Sequence, residues 1–168
     1  MTTEVPPPAA PDEDWLGLDG QVCFSLHAAS RAFNGVYRVL LKDLGLTYPQ
    51  YLVMLVLWEH GRTPVKRLGE LLRLDSGTLS PLLKRLETAG LVRRERSARD
   101  ERSVEIHPTE AGTALRERAL QVPRHIMAAT GFTLEEIQTL RTTLNRLTTA
   151  LDTATPTAPR PPEARPGP

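Results

Sequence analysis

Leu68-Gly-Glu-Leu-Leu-Arg-Leu-Asp-Ser-Gly-Thr-Leu-Ser-Pro-Leu-Leu-Lys-Arg-Leu-Glu87 decides the fold, together with Gly90-Leu-Val-Arg-Arg-Glu-Arg-Ser97 and Arg102-Ser-Val-Glu-Ile-His107 after it. Pro64 opens a short helix with Val65, Leu68, Leu71 and Leu72 on one face. Leu74-Asp-Ser-Gly-Thr78 then makes a turn in which Asp75 or Ser76 caps a second helix over about 77–89. Leu79, Leu82, Leu83 and Leu86 form its core stripe, and Ala89-Gly90 ends it. Beyond Gly90 the pattern alternates, as in strands, around the polar turn Ser97-Ala-Arg-Asp-Glu101. A helix-turn-helix followed directly by a charged hairpin is a winged helix.

The flanking segments are helical too. Asp19 is placed to cap a first helix running to about Leu44 and ended by Gly45. Thr47-Tyr-Pro-Gln50 has capping-box spacing with proline in the first turn. The run Tyr51-Leu-Val-Met-Leu-Val-Leu-Trp58 after it is apolar nearly all round, so this helix is expected to be buried. Thr109 caps a long helix to about Thr130, bent at Pro123, and Thr133-Leu-Glu-Glu136 starts a last one to about Leu151. The fold class is therefore mainly α with a small β wing.

Both ends read as tails. Residues 1–17 are acidic and proline-rich, and 153–168 carry Pro156, Pro159, Pro161, Pro162, Pro166 and Pro168. Repeated prolines forbid helix and favour extended, solvated chain. The 168 residues fit one domain with tails. No run of about 18 apolar residues suggests a membrane span, and no basic-then-apolar start suggests a secretory signal. A single cysteine and no export signal point to the reducing cytosol.

Net charge is only +1, but its distribution is uneven. Residues 1–20 hold five acids and no base; residues 61–105 hold eleven Lys/Arg against seven Asp/Glu. The middle segment is the candidate electrostatic footprint for a polyanion, or else an ordinary solvated face. The second helix of the pair offers Ser76, Thr78, Ser80, Lys84 and Arg85, which suit base edges and phosphates in a major groove. Ser76 and Thr78 suit helix capping equally well. The hairpin carries Arg93, Arg94, Arg96, Arg99 and Arg102, matched to a narrow minor groove. Asp100 is placed to brace Arg102 in a two-point ion pair. Glu95, Asp100, Glu101 and Glu105 also allow a merely salt-bridged hairpin.

The series Leu68–Glu87, Gly90-Leu-Val92, Arg99-Asp-Glu-Arg-Ser103 and His107-Pro-Thr-Glu-Ala-Gly112 resembles the MarR family of transcriptional regulators over roughly residues 18–150. Leu18-Asp-x-Gln-x-Cys-Phe24 and Thr47-Tyr-Pro-Gln-Tyr51 are similar to the organic hydroperoxide sensors of that family, the OhrR subgroup. The resemblance implies that Cys23 is a peroxide-sensing thiol, hydrogen-bonded by Tyr37 and Tyr48. It also implies a homodimer on a pseudo-palindromic operator in double-stranded DNA, with Asp75, Ser76, Arg94 and Arg102 at the DNA site. The DNA-binding lobe would span about 62–107, and the dimer would form through helices at about 18–45 and 109–152. The chain resembles the one-cysteine type, in which a low-molecular-weight thiol caps the oxidised sulfur or over-oxidation follows.

Reactivity requires thiolate. Capped by Asp19, the first helix would place Cys23 in its first turn, where unpaired N–H groups and the helix dipole favour an anion. His27, one turn on, either adds positive charge or simply packs. Tyr37 lies fourteen residues beyond Cys23, about 21 Å along one continuous helix. It reaches a sulfur only from a partner subunit. Val22, Phe24, Leu26, Phe33 and Met54 either favour an organic peroxide or are plain core.

Two other readings compete. One is a MarR-type regulator of a phenolic or antibiotic-like ligand, with Cys23 incidental. The other is a thiol peroxidase, which needs a resolving thiol that this chain lacks. The sequence calls for no cofactor and no metal: it has no Gly-rich phosphate loop, and His27, His60, His107 and His125 lack ligand spacing.

Overall fold

A computed structural model describes residues 16–97, 100 and 102–154. The described residues form two compact units, divided after Ile126. In the first unit come α1 (Val22–Leu40), α2 (Tyr48–His60), β1 (Thr63–Pro64), α3 (Val65–Leu72), α4 (Ser76–Thr88), β2 (Val92–Arg96), β3 (Val104–Pro108) and α5 (Glu110–Ala119). Helix α6 (Gln121–Thr130) crosses the boundary, and α7 (Leu134–Ala154) belongs to the second unit.

Helix α2 is the spine of the first unit. Its start is the expected capping box: the Gln50 backbone N–H donates to Thr47 Oγ1 at 3.5 Å, and the Thr47 N–H donates to Gln50 Oε1 at 2.8 Å. Tyr51, Val53, Met54 and Leu57 are buried. Around them pack Leu41 and Leu44, Leu68 of α3, Leu79, Leu83 and Leu86 of α4, Val92 and Ile106 of the wing, and Leu115 of α5. Leu82 of α4 is only partly buried, and Leu71 of α3 is 38% exposed, so both helices show the core a narrower stripe than their spacing suggests.

The helix-turn-helix is tight. Gly69 makes this possible: a Cβ there would stand 2.9 Å from the Leu74 carbonyl, below ordinary van der Waals contact. Arg73 closes α3 in the left-handed region at φ 54°, and the Leu74 N–H donates back to the Gly69 carbonyl at 2.9 Å. Asp75 caps α4, its Oδ1 accepting the Thr78 N–H at 2.8 Å.

The wing is an antiparallel hairpin in which Arg94 faces Ile106 and Glu95 faces Glu105. A third strand, absent from the sequence reading, completes the sheet in the order β1-β3-β2. It is the two-residue β1, with Thr63 opposite Ile106 and Pro64 opposite Glu105. Proline is tolerated at such a sheet edge. No local signal marks so short a strand; only β3 beside it makes it one.

Three expectations change. Asp19 does not cap α1: it lies in a 3-10 turn, Leu18–Gly20, and Gln21 occupies the cap position without a side-chain bond. The first helix stops at Leu40, and a second 3-10 turn, Lys42–Leu44, carries on to Gly45. This tighter turn follows buried Leu41 and ends on buried Leu44. The helix from Thr109 is two helices, broken at Leu120. Pro123 has no N–H for the Ala119 carbonyl, and its ring would crowd that carbonyl, so α5 ends at Ala119. The expected tails lie outside the described residues except at 16–17 and 153–154, where α7 continues to Ala154. In the second unit, the Thr133–Glu136 capping box starts α7 as read, the Glu136 N–H donating to Thr133 Oγ1 at 3.2 Å.

Helix α5 is keyed to the end of α4. Trp58 Nε1–H donates to the Gly112 carbonyl at 2.8 Å, and a Cβ on Gly112 would collide with the Leu91 carbonyl. Gly112→Ala is therefore expected to destabilise the fold by about 2 kcal/mol or more, because backbone rather than a flexible side chain must yield. Chemical denaturation of wild type and variant measures this.

Candidate redox site and nucleic-acid interface

Cys23 is the second residue of α1 and is exposed. Its thiol points at Gln21 Oε1, 3.8 Å away. The first-turn position expected of it therefore stands, although no side chain caps the helix there. His27, one turn further, is exposed.

The two tyrosines of the motif do come together. Tyr37 on α1 and Tyr48 on α2 have ring centroids 4.3 Å apart. Tyr51 joins them at 5.9 Å from Tyr37, so all three tyrosines of the chain form one cluster. The resemblance assigns Tyr51 no role; its spacing from Tyr48 on the same helix face is the signal for it. Burial, reinforced by the neighbouring Tyr48 and Tyr51 phenols, pushes Tyr37 up to about 12. Burial raises Tyr48 and Tyr51 as well. These phenols are thus neutral O–H donors over the whole physiological range.

Within one chain, Cys23 and Tyr37 sit at opposite ends of an unbroken helix. Fourteen residues of rise separate them by about 21 Å, so this chain does not unite its own thiol with its own tyrosines. None of the α1 residues is fully buried, and Val22 at 65%, Phe24 at 39%, Phe33 at 38% and Val39 at 73% are exposed. Plain core, one of the two expectations for these side chains, holds only for Met54.

The DNA-facing expectations fall on one surface. Ser76, Thr78, Ser80, Lys84 and Arg85 are all exposed on α4, opposite its buried Leu79, Leu83 and Leu86. Thr78 also bonds the cap, its Oγ1 donating to Asp75 Oδ2 at 3.0 Å. Hydrogen bonds from the Thr78 backbone and hydroxyl hold the Asp75 carboxyl below the usual carboxylate range.

The wing arginines divide into two sets. Arg94 bolts the wing to α4: its Nη2 donates to the Ser80 carbonyl at 3.1 Å, and its Nε lies 3.4 Å from Glu87 Oε2. Arg93 pairs with Glu95 at 3.0 Å. Arg96 and Arg102 are exposed. Arg99 lies outside the described residues. The Asp100–Arg102 brace takes another form than expected: Asp100 Oδ1 accepts the backbone N–H of Arg102 at 3.0 Å, shaping the turn and leaving the guanidinium out of the bond. No helix among the described residues is long and apolar enough to cross a membrane, and no group of three or more His, Cys, Asp or Glu among them is arranged to hold a metal ion.

A family model for the transcriptional regulators SarA/Rot matches residues 35–118. The organic hydroperoxide resistance transcriptional regulator of Bacillus subtilis is 47% identical over 134 residues, covering 80% of this chain and 91% of that protein. This chain belongs to the MarR family, in its organic hydroperoxide regulator branch. Reduced AbfR bound to DNA superposes with a TM-score of 0.70 at 35% identity, covering 82% of this chain and 94% of that one. Over-oxidised AbfR bound to DNA gives a TM-score of 0.66 at 36% identity over 80% and 94%. The MarR-type chain described here is a DNA-binding transcriptional regulator and not an enzyme.

Two measurements follow. Because the folded state keeps Tyr37 neutral, its contribution to stability is complete below about pH 10 and is lost as pH rises towards 12. Ultraviolet titration should show that Tyr37→Phe removes almost none of the tyrosinate absorbance at pH 10. Asp75→Ala should weaken operator binding by about tenfold, through loss of the α4 cap, while Asp75→Asn, still a capping residue, should retain most of it. Fluorescence anisotropy with labelled operator separates the two.

Proposed function

We propose that this protein represses transcription from a pseudo-palindromic operator while Cys23 is reduced, and releases it when an organic hydroperoxide oxidises that thiol. The observation that carries the reading is the 47% identity to an organic hydroperoxide resistance regulator across nearly its full length. The Tyr37–Tyr48 pair at 4.3 Å supports it, since two neutral phenols side by side are the donors a thiolate would accept.

In this reading the sensor is completed by a second copy. Helix α1 of each protomer packs its exposed apolar residues against the partner, which brings the partner's phenols to each Cys23. The dimer uses helices at about 18–45 and 109–152. The lobe at about 62–107 carries the DNA contacts: Ser76, Thr78, Ser80, Lys84 and Arg85 in the major groove, Arg96, Arg99 and Arg102 on the wing. Asp75, Arg94 and Asp100 hold these elements in shape. Apolar Val22, Phe24, Leu26 and Phe33 around the thiol favour a peroxide with a hydrocarbon substituent.

The Cys23 thiolate attacks one peroxide oxygen. An S–O bond forms, the O–O bond breaks, and the departing alkoxide takes a proton to leave as an alcohol. Sulfur has lost two electrons and the peroxide has gained them. With no second cysteine in the chain, the sulfenic acid condenses with a low-molecular-weight thiol, releasing water, or is oxidised further. Either product enlarges a packed interface, and packed interfaces switch between discrete arrangements more readily than they deform.

A gel shift with and without an organic hydroperoxide, for wild type and Cys23→Ser, tests this. Wild type is expected to release at least about tenfold of its affinity and the variant none. Retention of wild-type binding under peroxide would sink the redox reading.

A further inference from the structure

Trp58 occupies a position the sensing reading leaves unused. Its ring meets Tyr51 edge-on at 6.2 Å, and Tyr51 in turn lies 5.9 Å from Tyr37. Tyr51 and Trp58 are seven residues apart on α2, hence on the same face two turns apart. At its far side Trp58 Nε1–H donates to the Gly112 carbonyl at 2.8 Å. Gly112 belongs to the first turn of α5, where its N–H donates to Thr109 Oγ1 at 3.0 Å. The Thr109 hydroxyl donates to the Gly90 carbonyl at 2.6 Å, and the Thr109 N–H donates to the Leu91 carbonyl at 3.1 Å. Gly90 and Leu91 lie in the three-residue link between the end of α4 and β2.

The contacts therefore run without a gap from the Tyr37–Tyr48 pair to the joint where α4 hands over to the wing. Each link is stiff. Tyr51 is 3% exposed and walled in by core. The indole has a single donor, and it is spent on Gly112. Gly112 has no slack against Leu91, since even a methyl group would collide there. In a close-packed interior such a row transmits displacement instead of absorbing it.

We infer that Trp58 is a positioning residue for operator binding, holding the α4–wing joint in a register set by the Tyr37–Tyr48 pair. The inference rests on the reading of that pair as the sensor's phenols. A displacement of the two rings is passed through Tyr51 to Trp58, and through Gly112 and Thr109 to Gly90 and Leu91. The physical warrant is this chain of contacts, and coupling between its ends is what must be measured.

The test is a double-mutant cycle on operator affinity in the reduced protein, with no oxidant present. Tyr48→Leu removes the stacked ring at one end; Trp58→Phe keeps an aromatic ring but removes the N–H donor at the other. Tyr48→Leu is expected to weaken binding about tenfold in wild type and less than about threefold in the Trp58→Phe background. An equal factor in both backgrounds, or no effect of Tyr48→Leu in either, overturns the inference. A merely structural tryptophan would lower thermal stability while leaving the two factors equal. If Trp58→Phe does not fold, Thr109→Asn, which retains the cap while altering the bond to Gly90, takes its place in the cycle. Failure of peroxide to release the wild type would overturn the redox role of Cys23 separately, because the cycle itself contains no peroxide.

Discussion

The seam between Gly112 and Leu91 sets the arrangement of the first unit. Backbone meets backbone there, and only a residue without a side chain fits. The Trp58 indole seals one side of the seam through the Gly112 carbonyl, and Thr109 stitches the other through Gly90 and Leu91. Three elements are fixed at one point: the spine helix α2, the end of α4 and the start of α5. The wing grows out of this joint, so the direction in which it leaves the body is set by contacts that leave little freedom.

A second constraint comes from what the fold leaves uncovered. Helix α1 is 19 residues long and buries none of them fully, yet it carries phenylalanine, valine and leucine. Such a face is costly to leave in water. Cys23 and Tyr37 share that helix but sit at its two ends, too far apart to meet. In the proposed sensor, a second copy answers both this separation along a rigid rod and the uncovered apolar flank.

Electrostatics at the wing follow a similar division of labour. Arg94 and Arg93 are engaged with Glu87 and Glu95, and Asp100 is engaged with the backbone of the turn. These groups hold the hairpin against α4 and keep its shape. Arg96 and Arg102, together with the exposed polar side of α4, carry the outward charge. A count of arginines treats all of them as equivalent; the hydrogen bonds separate brackets from outward-facing charges.

The sequence by itself determined the elements whose signals are local. Capping residues at Thr47, Asp75, Thr109 and Thr133, the leucine stripe of α4 and the alternation of the wing all depend on neighbours within a few positions, and each was legible. So was the resemblance to the organic hydroperoxide branch, carried by the residues flanking Cys23 and Tyr48. Tertiary structure alone decided the rest. The strand β1 exists because β3 lies beside Thr63 and Pro64. Tyr37 joins Tyr48 and Tyr51 because α1 packs across α2. Arg94 is a bracket because Glu87 and the Ser80 carbonyl are within its reach. Each of these depends on a distance between residues far apart in the chain or in separate elements, and no periodicity encodes such a distance.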